Sequence, residues 1–217
     1  MLWKYILDNY RPGEPIIASD IEIGLTEVNR RKQFKALTDN GKLKRFDNGI
    51  YYIPKKSKLG GEVSIPPDIV VEKKYVFRNN KILGYYSGCT FANQIGISTQ
   101  VPYIQEIVTN EMGNPIKKLD LGGRTFVLRK SRTEVTEDNV KVLQFLDLLK
   151  DIEMYAELKG EEMKECLSNY INNNKITKEI VDMYLPLFPD KIYKSIYETG
   201  IINVFAWRLW VVWRNCI

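Results

Sequence analysis

The sequence predicts an α+β fold, with a small N-terminal domain followed by a larger mixed domain that ends in helices. The chain has 217 residues, which suits one large or two small domains, and 44% of them are hydrophobic, enough for a packed core. Apolar residues recur at helical spacing before Gly41, and short apolar runs separated by glycine turns follow. These patterns favour helices and strands in separate stretches of the chain.

The beginning of the chain predicts three helices. Apolar residues repeat at helical spacing over residues 2–10, until a Pro-Gly pair breaks the pattern. Ser19 can cap a short second helix over residues 20–23. Asn29 is the expected N-cap of a third helix that ends at residue 40, before a glycine suited to the left-handed C-terminal position.

A β-hairpin is expected next. The apolar runs at residues 43–46 and 50–53 are joined by Asp-Asn-Gly, a strong hairpin signal. Pro54 cannot continue the ladder. The polar, glycine-ended stretch that follows predicts a domain boundary, with the first domain at residues 1–58 and the second at residues 62–200.

The second domain mixes predicted helices and strands. Its central helix starts at Thr136, and apolar residues cover most of its circumference, so it should be buried in the middle of the domain. We expect the other helices at residues 68–77, 87–95, 161–172, 177–185 and 190–198, and strands at residues 104–109, 116–121 and 124–129. Residues 201–217 form a tryptophan-rich apolar tail, which favours packing or a partner surface.

The positive charge of the chain is concentrated near its N-terminus. Residues 1–60 hold 12 Lys/Arg and 7 Asp/Glu, whereas the rest of the chain holds 20 of each. All of the net charge of +5 therefore belongs to the N-terminal segment. Such asymmetry is expected for a protein that binds a polyanion.

Three helices and a hairpin, in that order, predict a winged helix-turn-helix that binds double-stranded DNA. A helix fits the major groove and presents side chains to base edges, while flanking basic residues neutralise phosphates. On the third predicted helix, Arg31, Lys32 and Lys35 project away from the apolar Phe34 and Leu37. The predicted DNA-binding residues are those three together with Lys44, Arg45 and Asn48 on or near the hairpin. The alternative is that these charges only solvate an exposed surface.

Several kinds of catalytic and metal site are excluded or disfavoured. The sequence has no histidine, so it has no Ser-His-Asp or Cys-His nucleophile pair and no histidine zinc site. The three cysteines, at 89, 166 and 216, are far apart, which favours a reducing compartment without disulfides. Cys89 could be a nucleophile at a helix start, but a small buried apolar role is more common for a free cysteine. The acidic residues at 120, 134, 137 and 138 lack metal-ligand spacing. We expect no catalytic residue, cofactor or metal.

The sequence also predicts a cytoplasmic protein that does not contact the membrane. The first residues mix charged and apolar side chains too early for a signal peptide. The most apolar stretch, residues 201–213, is interrupted by Asn203 and Arg208, and a membrane span needs about 20 apolar residues.

Two stretches of the sequence resemble the AbiEi-type antitoxin family. The first is the hairpin, Gly41-Lys42-Leu43-Lys44-Arg45 with Gly49-Ile50-Tyr51-Tyr52-Ile53-Pro54. The second is Gly84-Tyr85-Tyr86-Ser87-Gly88 with Asn93, Gly96 and Thr99-Gln100-Val101-Pro102, which resembles the start of the second domain in a bacterial branch of the family. Thr109-Asn110 and the stretch Thr136-Glu137-Asp138-Asn139-Val140 fit the same branch, and the resemblance extends to about residue 200.

The resemblance implies a type IV antitoxin. In that family a winged helix represses its own operon by binding inverted repeats, and the second domain counters a nucleotidyltransferase-like toxin without requiring a stable complex. By position, the DNA-binding role falls on Arg31, Lys32, Lys35, Lys44 and Arg45. Tyr85, Ser87, Asn93 and Gln100 receive no chemical role from the resemblance.

Two other functions stay open. One is a ligand-responsive winged-helix regulator without a toxin partner, which a neighbouring nucleotidyltransferase gene would argue against. The other is an enzyme that uses the basic domain only for targeting. An enzyme would need a pocket of convergent carboxylates or lysines with perturbed pKa values, and the sequence does not indicate one.

Overall fold

The computed structural model describes residues 1–56 and 60–205, and it confirms the α+β fold. The chain divides into two compact units. The first unit contains residues 1–74 together with residues 120–124, and the second contains residues 75–119 and the chain from residue 125 onwards. The first unit is thus longer than the predicted domain 1–58.

The first unit begins with two helices and a small antiparallel sheet. Its elements are helix α1 (Leu2–Asn9), strand β1 (Ile16–Ile17), a 3₁₀ turn (Ala18–Asp20), helix α2 (Glu27–Asp39) and strands β2 (Lys44–Asp47) and β3 (Ile50–Tyr52). The strand order is β1-β3-β2, so the third strand lies in the middle of the sheet. Gly49 has φ +71° in the turn between β2 and β3, a conformation that glycine adopts without strain.

Apolar side chains from every one of these elements except β2 and the 3₁₀ turn meet in one core. The fully or nearly fully buried members are Leu2, Ile6, Ile16, Ile21, Phe34, Leu43 and Ile50. The ring of Phe34 on α2 stacks on Tyr51 of β3, with 4.4 Å between ring centroids. The core therefore fixes which face of α2 is buried and which faces solvent.

The rest of the first unit is built from short elements. Strand β4 (Lys55–Lys56) pairs with β5 (Glu62–Val63), and helix α3 (Pro67–Val71) continues into a π-helical turn (Glu72–Val76). Val70 and Val71 are fully buried. This apolar packing explains why the first unit extends to residue 74.

The second unit contains a four-stranded mixed sheet. Its elements up to the sheet edge are β6 (Phe77–Arg78), β7 (Lys81–Ile82), β8 (Gly84–Ser87), α4 (Gly88–Gln94), β9 (Gln105–Thr109), β10 (Ile116–Leu121) and β11 (Arg124–Lys130). The strand order is β10-β11-β9-β8, in which β11 runs parallel to β9 and β8 runs antiparallel to β9. The strands predicted at 104–109, 116–121 and 124–129 are confirmed within one residue.

The helices of the second unit pack around α5. They are α5 (Val140–Lys150), α6 (Ile152–Tyr155), α7 (Gly160–Asn173), α8 (Lys178–Tyr184) and α9 (Lys191–Glu198). Every residue of α5 from Val142 to Leu149 is buried, which confirms the prediction of a central helix. Among residues 1–56 and 60–205, none of the helices has the length and apolar character needed to span a bilayer.

The second predicted helix is wrong. Residues 20–23 do not form an α-helix, and Ser19 lies inside the 3₁₀ turn Ala18–Asp20 instead of capping a helix. The chain is extended again at Ile21, with φ −87° and ψ 104°. The preceding Ile16 and Ile17 pair with β3, a contact with a distant part of the chain that local propensity does not reveal.

Two predicted helix starts are displaced. Helix α2 begins at Glu27 because the Thr26 hydroxyl accepts a hydrogen bond from the backbone N–H of Asn29, so Thr26 and not Asn29 is the N-cap. Helix α5 begins at Val140 and not near Thr136. There the Asn139 side chain accepts a hydrogen bond from the Thr136 backbone N–H and holds the preceding turn.

The other helix predictions fare better. The helix expected at residues 68–77 is present as α3 and the π-helical turn, but Phe77 lies in β6. Helices α4, α7, α8 and α9 match their predicted ranges within one residue at each end. The tryptophan-rich tail, Trp207, Trp210 and Trp213 included, lies outside the described residues, as does Lys58 at the end of the predicted first domain.

Candidate nucleic-acid interface

Helix α2 presents a basic face to solvent. Phe34 is 1% exposed and anchors the opposite face of the helix in the core. Arg31, Lys32 and Lys35 are all exposed, as the 100° step per residue predicts. Since the anchored face cannot turn outward without exposing Phe34, these three cations keep a fixed direction.

Arg31 is held by an acidic neighbour on the same helix. It forms an ion pair with Glu27, one turn earlier, and the two side chains are 78% and 63% exposed. An exposed pair at this spacing contributes only about 0.3–0.5 kcal/mol. The Arg31 guanidinium can therefore exchange Glu27 for an incoming phosphate or base edge at little cost.

The hairpin formed by β2 and β3 presents a second set of polar groups. Lys44, Arg45 and Asn48 are exposed. Arg45 donates one hydrogen bond to the Asn48 side-chain oxygen (2.6 Å) and one to the Asp47 carbonyl (3.3 Å). A bulge between Arg45 and Asp47 interrupts the ladder with β3 at this position. The guanidinium is thus folded against the turn that it precedes.

The six predicted DNA-binding residues differ in how far they are engaged within the protein. Lys44 forms an ion pair with Glu62 of β5, and Arg31, Arg45 and Asn48 have the contacts given above. Within residues 1–56 and 60–205, Lys32 and Lys35 have no ion-pair partner. Lys32 and Lys35 are therefore the cations most available to neutralise phosphates.

A concavity of about 540 Å³ lies between α2 and the hairpin. Its lining is Ala18, Ser19, Glu27, Arg30, Arg31, Phe34, Arg45, Asn48, Gly49 and Tyr51. The structure thus brings Arg31, Arg45 and Asn48 to one recess, although they come from two separate elements. Lys32, Lys35 and Lys44 are not part of its lining.

Sequence reasoning gave too little weight to two residues of this recess. Arg30, judged the weakest basic candidate because it points towards the Phe34 face, lines the recess and donates to the Ile21 carbonyl at 3.2 Å. Glu27 was not considered, although a Glu–Arg pair at i and i+4 is a sequence signal that could have identified it.

The residues of the second unit that carry the family resemblance have structural contacts. The Ser87 hydroxyl donates to the buried Asp147 carboxylate at 2.5 Å and does not cap α4. Asn93 donates to the Ser98 carbonyl, and the Gln100 backbone N–H donates to the Ser98 hydroxyl. Tyr85 is buried at 5% exposure.

Neither Cys89 nor the acidic residues form a reactive centre. Burial raises the pKa of the Cys89 thiol, and the carboxylates of Glu106 and Glu157 raise it further. The thiolate form that a nucleophile requires is thereby disfavoured. In the described part of the chain, no group of three or more Cys, Asp or Glu side chains is arranged to hold a metal ion.

Comparison with known families gives one match, to the sequence model of a family of unknown function, DUF6088, over residues 9–173. The chain belongs to this family. The matched range runs from the last residue of α1 to the last residue of α7, so the family includes α2, the hairpin and the four-stranded sheet of the second unit. A comparison with curated proteins finds no match.

Proposed function

We propose that this protein is a winged-helix DNA-binding repressor of its own operon and a type IV antitoxin, and that it is not an enzyme. The supporting observation is the shared recess: a basic helix and a basic hairpin converge, with Arg31, Arg45 and Asn48 facing the same space. The order of helix, strand, helix and hairpin in a β1-β3-β2 sheet is compatible with a winged helix. A 3₁₀ turn replaces the middle helix.

In this proposal α2 enters the major groove. Arg31 exchanges Glu27 for a base edge or phosphate, while Lys32 and Lys35 contact the phosphates on either side. The hairpin lies along the backbone, with Lys44, Arg45 and Asn48 as its contacts. Inverted-repeat operators and a nucleotidyltransferase-like toxin partner are the parts of the proposal that rest on the resemblance to AbiEi-type antitoxins.

DNA binding is tested with the full chain and a duplex from its own upstream region, against an unrelated duplex, across a salt series. We compare the double variant Arg31→Ala/Lys35→Ala with Lys117→Ala/Lys118→Ala, which removes two exposed lysines of β10 and changes the net charge equally. Loss of two phosphate contacts should reduce the slope of log K against log salt by about 1.8, and the operator affinity by at least about tenfold. The control variant should match the wild type.

Two results would contradict the DNA-binding proposal. One is equal, weak binding of the wild type to both duplexes. The other is unchanged operator affinity in a well-folded Arg31→Ala/Lys35→Ala variant. The antitoxin role is tested separately, by asking whether the product of a neighbouring gene arrests growth and whether this protein restores it.

A ligand-responsive regulator without a toxin is the second candidate function. It is favoured by a cavity in the second unit of about 390 Å³, whose lining includes Arg129, Lys130, Arg132 and Lys150. A harmless neighbouring gene, together with operator binding that changes when a small anion is added, would favour this candidate over the antitoxin.

A further inference from the structure

The cavity of the second unit lies between the sheet and the central helix. It is lined by Tyr85 of β8, Val108 of β9, Pro115 and Ile116 at the start of β10, residues 129–132 at the end of β11, and Asp147 and Lys150 of α5. Its volume of about 390 Å³ is typical of a small-molecule site. Because its lining comes from five elements of one unit, its shape is set by the core of that unit.

The charges in this cavity fall into two groups. The first group is already neutralised. Lys150 lies 2.8 Å from Asp147 and 3.3 Å from Asp151, and Arg129 lies 2.8 Å from Glu106. Asp147 also accepts the Ser87 hydroxyl, so its two oxygens both have donors and its charge is offset.

The second group consists of Lys130 and Arg132, which have no carboxylate partner among residues 1–56 and 60–205. Arg132 donates to the Leu187 carbonyl at 3.2 Å, and its guanidinium lies 5.0 Å from the Phe188 ring, so its side chain is held without being neutralised. The backbone N–H groups of Lys130 and Ser131 donate to the Pro115 and Thr109 carbonyls. Two uncompensated cations are thus placed on an anchored segment at the cavity.

Tyr85 adds a hydroxyl group at the same cavity. Its side chain is 95% buried, and in the part of the chain that the structure describes its hydroxyl has no hydrogen-bond partner. Burial raises the pKa of Tyr85 well above its ordinary value, and the Asp147 carboxylate raises it further. The hydroxyl therefore stays protonated and able to donate a hydrogen bond. A buried polar group without a partner costs free energy that a ligand acceptor would recover.

We propose that this cavity binds a small phosphate monoester, with the phosphate held by Lys130 and Arg132 and a hydrogen bond donated by Tyr85. A phosphate monoester carries a charge of about −1.5 to −2 at neutral pH, which two free cations match better than a single carboxylate does. The organic part of the ester lies against Val108, Pro115 and Ile116, which form the apolar wall.

The proposal is tested by calorimetric titration of the full chain, without DNA, with ribose 5-phosphate, ribose and inorganic phosphate. Because no DNA is present, the result is independent of the proposed repressor function. Ribose 5-phosphate should bind saturably and ribose should not. Inorganic phosphate should bind at least about tenfold more weakly than the ester, since it lacks the part that contacts the apolar wall.

Two variants and one control locate the binding. Lys130→Glu should weaken ribose 5-phosphate binding roughly 10- to 100-fold, because it replaces an attraction with a repulsion. Lys118→Glu makes the same charge change at an exposed lysine that does not line the cavity, and should stay within about twofold of the wild type. Tyr85→Phe keeps the ring and removes only the hydroxyl, and should weaken binding about three- to tenfold.

Three results would overturn the proposal. They are the absence of saturable binding up to ~10 mM ester, equal effects of Lys130→Glu and Lys118→Glu, and equal affinities for the ester and inorganic phosphate. The last result would reduce the cavity to a site for a free anion.

Discussion

Gly84 at the start of β8 has no room for a side chain. A Cβ atom added there would lie 2.2 Å from the Val108 carbonyl oxygen, 2.6 Å from the Tyr75 carbonyl oxygen and 2.9 Å from the Thr109 Cα. Ordinary carbon–oxygen contacts are about 3.3 Å or longer, so the closest approach is short by roughly 1 Å. All three neighbours are backbone atoms, and no rotation of a flexible side chain can relieve the contact.

Relief would require the strands to move apart. Gly84 pairs with Thr109, and the adjacent Leu83 carbonyl accepts hydrogen bonds from both the Thr109 hydroxyl and the Asn110 N–H. Overpacking costs about 1–3 kcal/mol, and one weakened hydrogen bond adds about 1 kcal/mol. We expect Gly84→Ala to lower the free energy of unfolding of the second unit by about 2–4 kcal/mol. For a chain of this length, that lowers Tm by roughly 5–15 °C.

Gly113→Ala is the matched control. Gly113 lies in the same unit, its φ is not in the left-handed region, and an added Cβ would meet nothing within 4 Å. Such a substitution is expected to change stability by less than about 1 kcal/mol, in the stabilising direction. Urea and thermal unfolding of the two variants measure the difference. If Gly84→Ala were as stable as Gly113→Ala, the close packing of β8 on β9 would not hold in solution.

Two further predictions concern the first unit. Thr26→Ala removes the side-chain oxygen that caps α2 and should lower the free energy of unfolding by about 0.5–1 kcal/mol, whereas Thr26→Ser should retain most of it; equal urea midpoints for the two variants would contradict the cap. Burial raises the pKa of Glu14, but hydrogen bonds from Lys73 and the Arg11 N–H outweigh it, so the pKa lies below its ordinary 4.5. The resulting stabilisation is present above that value and is lost as pH falls through the lowered pKa, so Glu14→Gln should flatten the acid-side loss of unfolding free energy. Parallel pH profiles for wild type and variant would argue against the Glu14–Lys73 contact.

The elements predicted well are those whose signal is local. The hairpin depends on an Asn-Gly turn, and the burial of α5 follows from apolar residues around its whole circumference. The exposure of Lys32 and Lys35 follows from their angular distance from Phe34 on one helix. In each case the determining residues lie within a few turns or a few strand positions of each other.

The failures depend on contacts between distant residues. Ile16 and Ile17 form a strand only because Ile50 and Tyr51 are available as partners, and the helix predicted after Ser19 gives way to a 3₁₀ turn at that strand's end. The ion pair between Lys44 and Glu62 likewise joins two elements that are separated along the chain.

The sequence by itself determined the α+β class, the N-terminal concentration of positive charge and the direction of the basic face of α2, because composition and periodicity are local properties. The tertiary structure decided which charges are neutralised and which cavities exist. Tyr85, Arg132 and Asp147 are far apart along the chain and gave no common signal, yet they line one cavity. Ion pairing and cavity shape depend on distances between side chains, and those distances are set only when the core packs.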